Sequence, residues 1–565
     1  MNIARRVLYV VILALASALP VRAAETVAKH HLIAAANPYA AEAGRQMMRD
    51  GGSAVDAAIA AQLVLTLVEP ESSGIGGGDF MMVYDPKTGK VTSFDGRETA
   101  PASANPQMFL DANGKPRGHF DAIPGGLSTG VPGVLAMFDM AHRKYGRLPW
   151  AKLFDPAIKL AQEGFPVGRK LAATLRAFPQ LASMPDIKRY FYKADGTPLA
   201  QGETLKNPEL ANTLRLIAKN GPKAFYTGPI AEHIVAAVQH APVNPGGMTL
   251  ADLTSYHAVE RPAVCGEYRH YRLCSMGPPS SGGVAVLQIL GMLERFPQAQ
   301  LEPSTLSQVH LFTQASRLAF ADRAMYLADP DVIHVPVAGL LDPVYLAQRS
   351  ALIDASKDMG AAVAGTPPQK HAQYAPQRTP QLPGTSHLSV VDDRGQVVAM
   401  TMTVEFLFGS EVMANGFFLN NELTDFSFEP VRDGKPVANA PAPGKRPMSA
   451  MSPTIVFAPD GKFAIATGSP GGPAIIDFVA QSLIDMIDGG MGAEAAAAAP
   501  RMLNLNGRTI LEKGTALDAL TPQLTAMGHA VVDADLESGL HIVKRVSGGY
   551  VGGADPRRDG VALGD

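Results

Sequence analysis

Cysteine is nearly absent: the chain holds two, Cys265 and Cys274, in 565 residues. No Cys/His cluster has the spacing of a metal site, no His-Glu-x-x-His helix occurs, and no Gly-x-x-x-x-Gly-Lys loop offers a phosphate cradle. No cofactor and no metal is therefore expected. Charge of one sign is equally scarce. A formal net charge of −3 creates no long-range field to steer the chain to nucleic acid or anionic lipid, so neither is expected as a partner. After the N-terminus long apolar runs are missing too. The best, Ala57 to Val68, is too short to cross a bilayer and carries Gln62, so no stable membrane span is expected. What remains is a globular composition, 46% hydrophobic and 18% charged, long enough for more than one ordinary domain.

The N-terminus carries its own message. Arg5 and Arg6 precede an apolar run from Val7 to Leu19, followed by Val21-Arg22-Ala23-Ala24. This reads as a secretory signal peptide over residues 1–24, cut after Ala23 or Ala24, with a retained anchor as the alternative. The expected location is periplasmic or secreted. That compartment gives the two cysteines a meaning. They flank Gly266 to Arg272, which reads as a β-ribbon, and a bridge across it would stabilise by about 2–3 kcal/mol at most. The alternative is two free thiols.

Along the chain, Ala40 to Arg49 reads as a helix stopped by Gly51-Gly52, and Ser53 caps an apolar helix from Ala54 to Leu67. The Gly-rich run Gly74 to Gly78 sits between helix and strand with no lysine after it. Close backbone packing therefore explains it better than nucleotide binding. Arg97, in the loop Asp95 to Pro101, is on residue chemistry alone a surface charge, although guanidinium geometry also suits a carboxylate. From Pro132 to Asn220 the pattern is mostly helical. Pro278 to Gly283 is a rigid turn feeding a helix to Leu293, with Ser280 and Ser281 as turn and cap residues. Ser304 caps a helix to about Leu327. Residues 361–384 are rich in Pro, Ala and Gln and read as loop. Asn420 to Phe426 is a polar loop. A hairpin follows, Thr454 to Phe457 and Phe463 to Thr467. Next comes Gly468-Ser469-Pro470-Gly471-Gly472, opening a helix to Ile487 whose free N–H groups could hold an anion or a developing oxyanion.

The structureless stretch ends abruptly at Thr385. Ser386 to Asp392 and Gln396 to Thr403 are two β-branched runs around Asp393-Arg394-Gly395, a three-residue hairpin loop with Gly395 in the left-handed position. If Asp392 faces Gln396, Thr385 lies opposite Thr403, with Cβ atoms about 5 Å apart.

These motifs resemble the γ-glutamyltransferases of the N-terminal-nucleophile hydrolase superfamily. The matching pieces are Asp50 to Ala57, Gly76-Gly77-Gly78, Pro278 to Gly283, Thr385-Ser386-His387, Asn420-Asn421, Lys445-Arg446-Pro447, Met451 to Thr454 and Gly468 to Gly472, in order from about His31 to the end. The resemblance implies an α+β fold of four layers, αββα, made as a precursor that cuts itself between Gly384 and Thr385. A large fragment (25–384, its last residues 361–384 a pre-cleavage tail) and a small one (385–565) would form an intertwined heterodimer. It implies Thr385 as nucleophile with its own α-amino group as base, since that amine has a reference pKa of about 7.7–8.0. Thr403 would assist, and the N–H groups of Gly471 and Gly472 would hold the oxyanion. Arg97 and Ser449 would take the α-carboxylate of a glutathione-like donor, and Glu422 and Asp425 its α-amine. Water, an amino acid or a peptide would accept the acyl group, predicting ping-pong kinetics.

Several positions depart from the family pattern. Ala450 stands where a second serine is common, removing a carboxylate donor worth about 1.5–3 kcal/mol. Glu405 replaces an asparagine that helps bind the amine. The segment from Phe426 to Lys445 is short for a lid. The loop after Pro500-Arg501 lacks the histidines often found there. Two rival functions follow: a same-fold acylase for glutaryl or cephalosporin-type amides, and an unprocessed, non-catalytic binding protein.

Overall fold

The computed structural model describes residues 26–368, 373–378 and 382–565. The leader and its cleavage point lie outside the described residues, as do two short pieces of the 361–384 tail.

The hairpin after Thr385 forms in the register its sequence predicts. Strand Ser386–Val391 pairs antiparallel with Val397–Thr403, Ser386 opposite Met402 and Val391 opposite Val397. Asp392 N–H donates to Gln396 O at 3.0 Å, and Gly395 closes the turn at φ 79°. Every residue of both strands is buried, because this hairpin sits in the middle of a sheet and is covered on both faces. Leu388, Val390, Val398, Met400 and Met402 face the core made with helices Pro38–Arg49 and Ala54–Val68. Val391, Val397 and Ala399 face a second core shared with the other sheet. Alternation therefore puts His387, Thr401 and Thr403 on the sheet-to-sheet side and Ser386 on the helix side.

The first sheet runs, in spatial order, Val561–Gly564, Leu32–Ala35, Ser386–Val391, Val397–Thr403, Gly78–Asp85, Lys90–Asp95 and Val259–Pro262. The second runs Thr26–Ala28, Gly549–Ala554, His541–Val546, Phe463–Thr467, Thr454–Phe457, Tyr271–Ser275 and Val264–Tyr268. Both are antiparallel throughout. Helices Gly282–Leu293, Leu306–Tyr326 and Ile475–Ile487 cover the outer face of the second sheet, completing the four-layer αββα order. In each sheet, strands from before and after position 384 are interleaved, so neither region has a complete sheet of its own.

Local signals explain most boundaries. Ser53 and Asp56 form a capping box at the start of Ala54–Val68, and all fifteen residues of that helix are buried. The cap of Leu306–Tyr326 is Thr305, one residue later than expected. Its side chain accepts from Gln308 N–H, while Ser304 takes φ 60°. Cys265 and Cys274 pair directly across the ribbon and form a disulfide. The glycines before Gly78–Asp85 serve close packing, as expected: a Cβ on Gly77 would overlap the carbonyl of Thr403, and one on Gly76 that of Phe418. Among the described residues no helix is long and apolar enough to cross a membrane.

Truncating Leu388, fully buried at the hairpin centre, to alanine is expected to cost about 2–5 kcal/mol. Urea unfolding would show it as a lower midpoint; an unchanged midpoint would contradict the two-sided burial of this strand.

Candidate active site

Thr385 enters the hairpin from an extended tail, and the junction is tightly held. Its hydroxyl donates to Thr403 Oγ1 at 3.1 Å, the neighbour that register placed opposite it. Thr403 Oγ1 also accepts from Glu405 N–H at 2.8 Å, which fixes the acceptor. The carbonyl of Gly384 accepts from Gly471 N–H at 3.1 Å, at the turn that opens helix Ile475–Ile487. The carbonyl of Thr385 accepts from Arg558 Nη1 at 2.8 Å. Both atoms flanking the Gly384–Thr385 bond are thus pinned, and between them Thr385 adopts φ 87°, a region costly for a β-branched residue. Gly384 is packed as tightly, since a Cβ there would overlap the carbonyl of Glu405.

In front of Thr385 lies a small pocket lined by Arg97, Thr403, Glu405, Glu422, Asp425, Ser449, Ala450 and Gly472. Nearly every residue singled out in the sequence therefore meets here, although they come from loops hundreds of residues apart. Leu382, two residues before the junction, lines the same cavity. Arg97 is 1% exposed and is not the surface charge its residue type alone suggests. Its Nε donates to Pro447 O at 3.0 Å, and its Nη2 to Asp425 Oδ2 at 2.6 Å and Met448 O at 3.2 Å. Its Nη1 pairs with Glu422. Burial opposes its charge, but Glu422 and Asp425 outweigh burial and raise its pKa. Glu422 is pushed up to about 8 by burial, against the pull of Arg97 and with Asp425 adding to the rise. Burial, then Asp425 and Glu422, holds Glu405 well above the usual carboxylate range; its Oε2 accepts from Asn421 Nδ2 at 2.7 Å. Glu98 is fully buried against Glu422, and burial raises it likewise.

Ser281 stands at the N-cap position of helix Gly282–Leu293 without a side-chain cap bond, and Ser280 is a turn residue whose Oγ accepts from Gly282 N–H at 3.2 Å. Ser281 Oγ donates to Ser449 O at 2.5 Å and Ser280 Oγ to Met451 O at 2.6 Å, bracing the segment that carries Ser449. The 426–445 segment braces as well: Asn439 Nδ2 donates to Asp425 O at 2.7 Å, and Asn439 Oδ1 accepts from Met448 N–H at 3.0 Å. Ser469 Oγ donates to Pro470 O at 2.8 Å, in keeping with a turn residue. Sequence reasoning missed Arg558, Glu98 and the role of Asn421. Asn421 stood in a recognised motif, but nothing local connects Arg558 to a threonine 173 positions earlier.

Behind strand Ser386–Val391 is a second buried group of acids. Ser386 Oγ donates to Glu69 Oε2 at 2.6 Å. Neither carboxyl oxygen of Glu71 has a hydrogen-bond donor, and burial, then Glu69, pushes its pKa up to about 8.

A doubly covered pair of antiparallel sheets, with a threonine hydroxyl at the head of a central strand and a backbone N–H on the preceding carbonyl, defines the class of N-terminal-nucleophile hydrolases. The solved structures agree: the cephalosporin acylase from Bacillus halodurans superposes with a TM-score of 0.84 at 27% identity, over 98% of this chain and 99% of that one. The family is narrower. The Gamma-glutamyltranspeptidase family model matches residues 40–565. Two relatives named glutathione hydrolase proenzyme are each 38% identical, that of Bacillus subtilis (strain 168) over 95% of this chain and 92% of its own, and that of Escherichia coli (strain K12) over 94% and 91%. The chain belongs to the γ-glutamyltranspeptidase family.

Glu71→Gln tests the buried acids. A carboxyl whose folded pKa is raised contributes stability below its unfolded value near 4.5 and loses it as pH rises towards about 8. Glutamine has no proton to lose. The variant is therefore expected to gain on wild type between pH 5 and 8, by at most about 1.4 kcal/mol per pH unit. Parallel melting temperatures across that range would contradict a neutral Glu71.

Proposed function

We propose that the protein is a self-processing γ-glutamyl hydrolase and transferase with Thr385 as nucleophile. The observation that carries this reading is the junction itself: the Thr385 hydroxyl on Thr403, with the Gly384 carbonyl on Gly471 N–H. In processing, Thr385 Oγ1 attacks the Gly384 carbonyl carbon and Gly471 N–H stabilises the oxyanion. The C–N bond breaks, and the hydroxyl proton passes to the departing nitrogen, leaving an ester. Water hydrolyses the ester to a Gly384 carboxylate and a free Thr385 α-amine. The positive φ of Thr385 supports this step, because cleavage releases a conformation costing about 1–3 kcal/mol. Interleaved strands would keep fragments 25–384 and 385–565 together as a heterodimer, and the relatives' names as proenzymes fit the same scheme.

The α-amine then takes the Thr385 hydroxyl proton while Oγ1 attacks the γ-amide carbonyl of a glutathione-like donor. The oxyanion uses the hole vacated by Gly384. Collapse expels the amine with the proton, and the acyl-enzyme passes to water, an amino acid or a peptide. Glu405, Glu422 and Asp425 favour a donor with an α-ammonium over a glutaryl group, which would bring no cation to Glu405, the carboxyl of the three that Arg97 does not pair. The same-fold acylase reading draws on the structural likeness to the cephalosporin acylase. A non-catalytic reading leaves the Thr385–Thr403–Gly471 geometry without a purpose. The N-terminal leader and the disulfide support a periplasmic or secreted location.

Intact mass and N-terminal sequencing of the purified protein provide the test. Wild type is expected as two fragments, the smaller starting at Thr385, and Thr385→Ala as one chain. Gly384→Ala, forced against Glu405 O, is expected to process at least tenfold more slowly. A wild-type chain that stays whole under all conditions would sink the reading.

A further inference from the structure

The acyl-donor cavity is unequal in charge. Three carboxyl groups, Glu405, Glu422 and Asp425, line it against one guanidinium, Arg97. That guanidinium is largely occupied. Of its five N–H donors, four have protein acceptors: Pro447 O, Met448 O, Glu422 and Asp425. An incoming carboxylate would meet a cation already neutralised by two carboxyl groups, at a wall where Ala450 supplies no hydroxyl. Ser449 is the remaining hydroxyl there: its Oγ accepts from Met451 N–H at 3.1 Å, which leaves a single O–H to donate to a carboxylate. Other charges in reach do not reverse the balance. Glu98 adds a fourth acid beside Glu422. Arg323 is a second cation facing Asp425, its Nε donating to Ser281 Oγ at 2.7 Å, and His119 faces the same carboxyl with its pKa lowered by burial.

An ammonium meets the opposite situation. Glu422 Oε2 is buried with no hydrogen-bond donor, as are both carboxyl oxygens of Glu98. Glu405, held at φ 78° and tethered through Oε2 by Asn421, brings a further carboxyl to the same space. A buried carboxyl without a donor is costly, and an ammonium supplies three donors and a charge.

We propose that Glu405, acting with Glu422 and Asp425, makes this pocket select its acyl donor by the α-ammonium and not by the α-carboxylate, so that its substrates include γ-glutamyl amides whose α-carboxylate is masked as an amide or ester. The inference rests on the γ-glutamyl reading above and goes beyond it, since that reading gives both ends of the zwitterion a partner.

Three p-nitroanilides separate the cases on the processed wild-type enzyme: γ-glutamyl, the same compound with its α-carboxylate as a carboxamide, and glutaryl. The carboxamide is expected within about threefold of the γ-glutamyl compound in kcat/KM, and the glutaryl compound at least 100-fold below it. Glu405→Gln should shrink the γ-glutamyl-to-glutaryl ratio at least tenfold while leaving the γ-glutamyl-to-carboxamide ratio unchanged. Good turnover of the γ-glutamyl compound with a 100-fold loss on the carboxamide would overturn the proposal and leave the γ-glutamyl reading standing. Preference for glutaryl, or no turnover of any of the three by enzyme whose small fragment begins at Thr385, would overturn both. An unchanged glutaryl ratio in Glu405→Gln would remove Glu405 as the selector.

Discussion

Burial on both faces of the Ser386–Val391 and Val397–Thr403 hairpin constrains almost everything else in the molecule. A strand covered on one side can slip or twist at moderate cost. Here a one-residue slip would turn Leu388, Val390, Val398 and Met400 out of the helix-side core and drive His387, Ser389 and Thr401 into it. The polar side chains on the sheet-to-sheet face are satisfied only in the native register. His387 Nδ1 meets Thr401 Oγ1 at 2.8 Å, its Nε2 meets Ser389 Oγ at 3.1 Å, and Ser389 Oγ donates to His541 O at 2.9 Å. The packing that fixes this register also fixes Thr385 opposite Thr403. Gly77 belongs to the same constraint, because only a residue without a Cβ lets its chain approach the Thr403 backbone.

The site built on this frame balances two costs. Arg97 is buried, and a lone buried cation is expensive, so Glu422 and Asp425 accompany it. Glu405 and Glu98 exceed what one guanidinium neutralises, and burial raises both pKa values, which favours their neutral forms.

The junction combines anchoring with strain. Gly471 N–H holds one carbonyl, Arg558 holds the next, and the φ of Thr385 is positive between them. Loss of the peptide bond would relax the last of these, free Gly471 N–H from the Gly384 carbonyl and leave the Arg558 anchor on Thr385 in place. Strands from both sides of the junction pair with one another in each of the two sheets, so the architecture does not depend on that bond.

Local patterns determined a good deal without any structure. The Asp-Arg-Gly turn and its flanking β-branched runs set the register that brings Thr403 to Thr385. Ser53 with Asp56 set a helix start, and Pro459-Asp460-Gly461 set the second hairpin, because each is a short-range choice of turn or cap chemistry. Arg97 is the opposite case. Its residue type alone pointed to the surface, and only the packing of the 95–101 loop against 422–425 and 447–448 buries it and uses its donors. The Arg558 anchor, the bracing roles of Ser280, Ser281 and Asn439, and the meeting of Glu98 with Glu422 were likewise decided in three dimensions. A cap or a turn is written within four or five residues, whereas a buried charge pair is written in two distant segments that meet only after both sheets have formed.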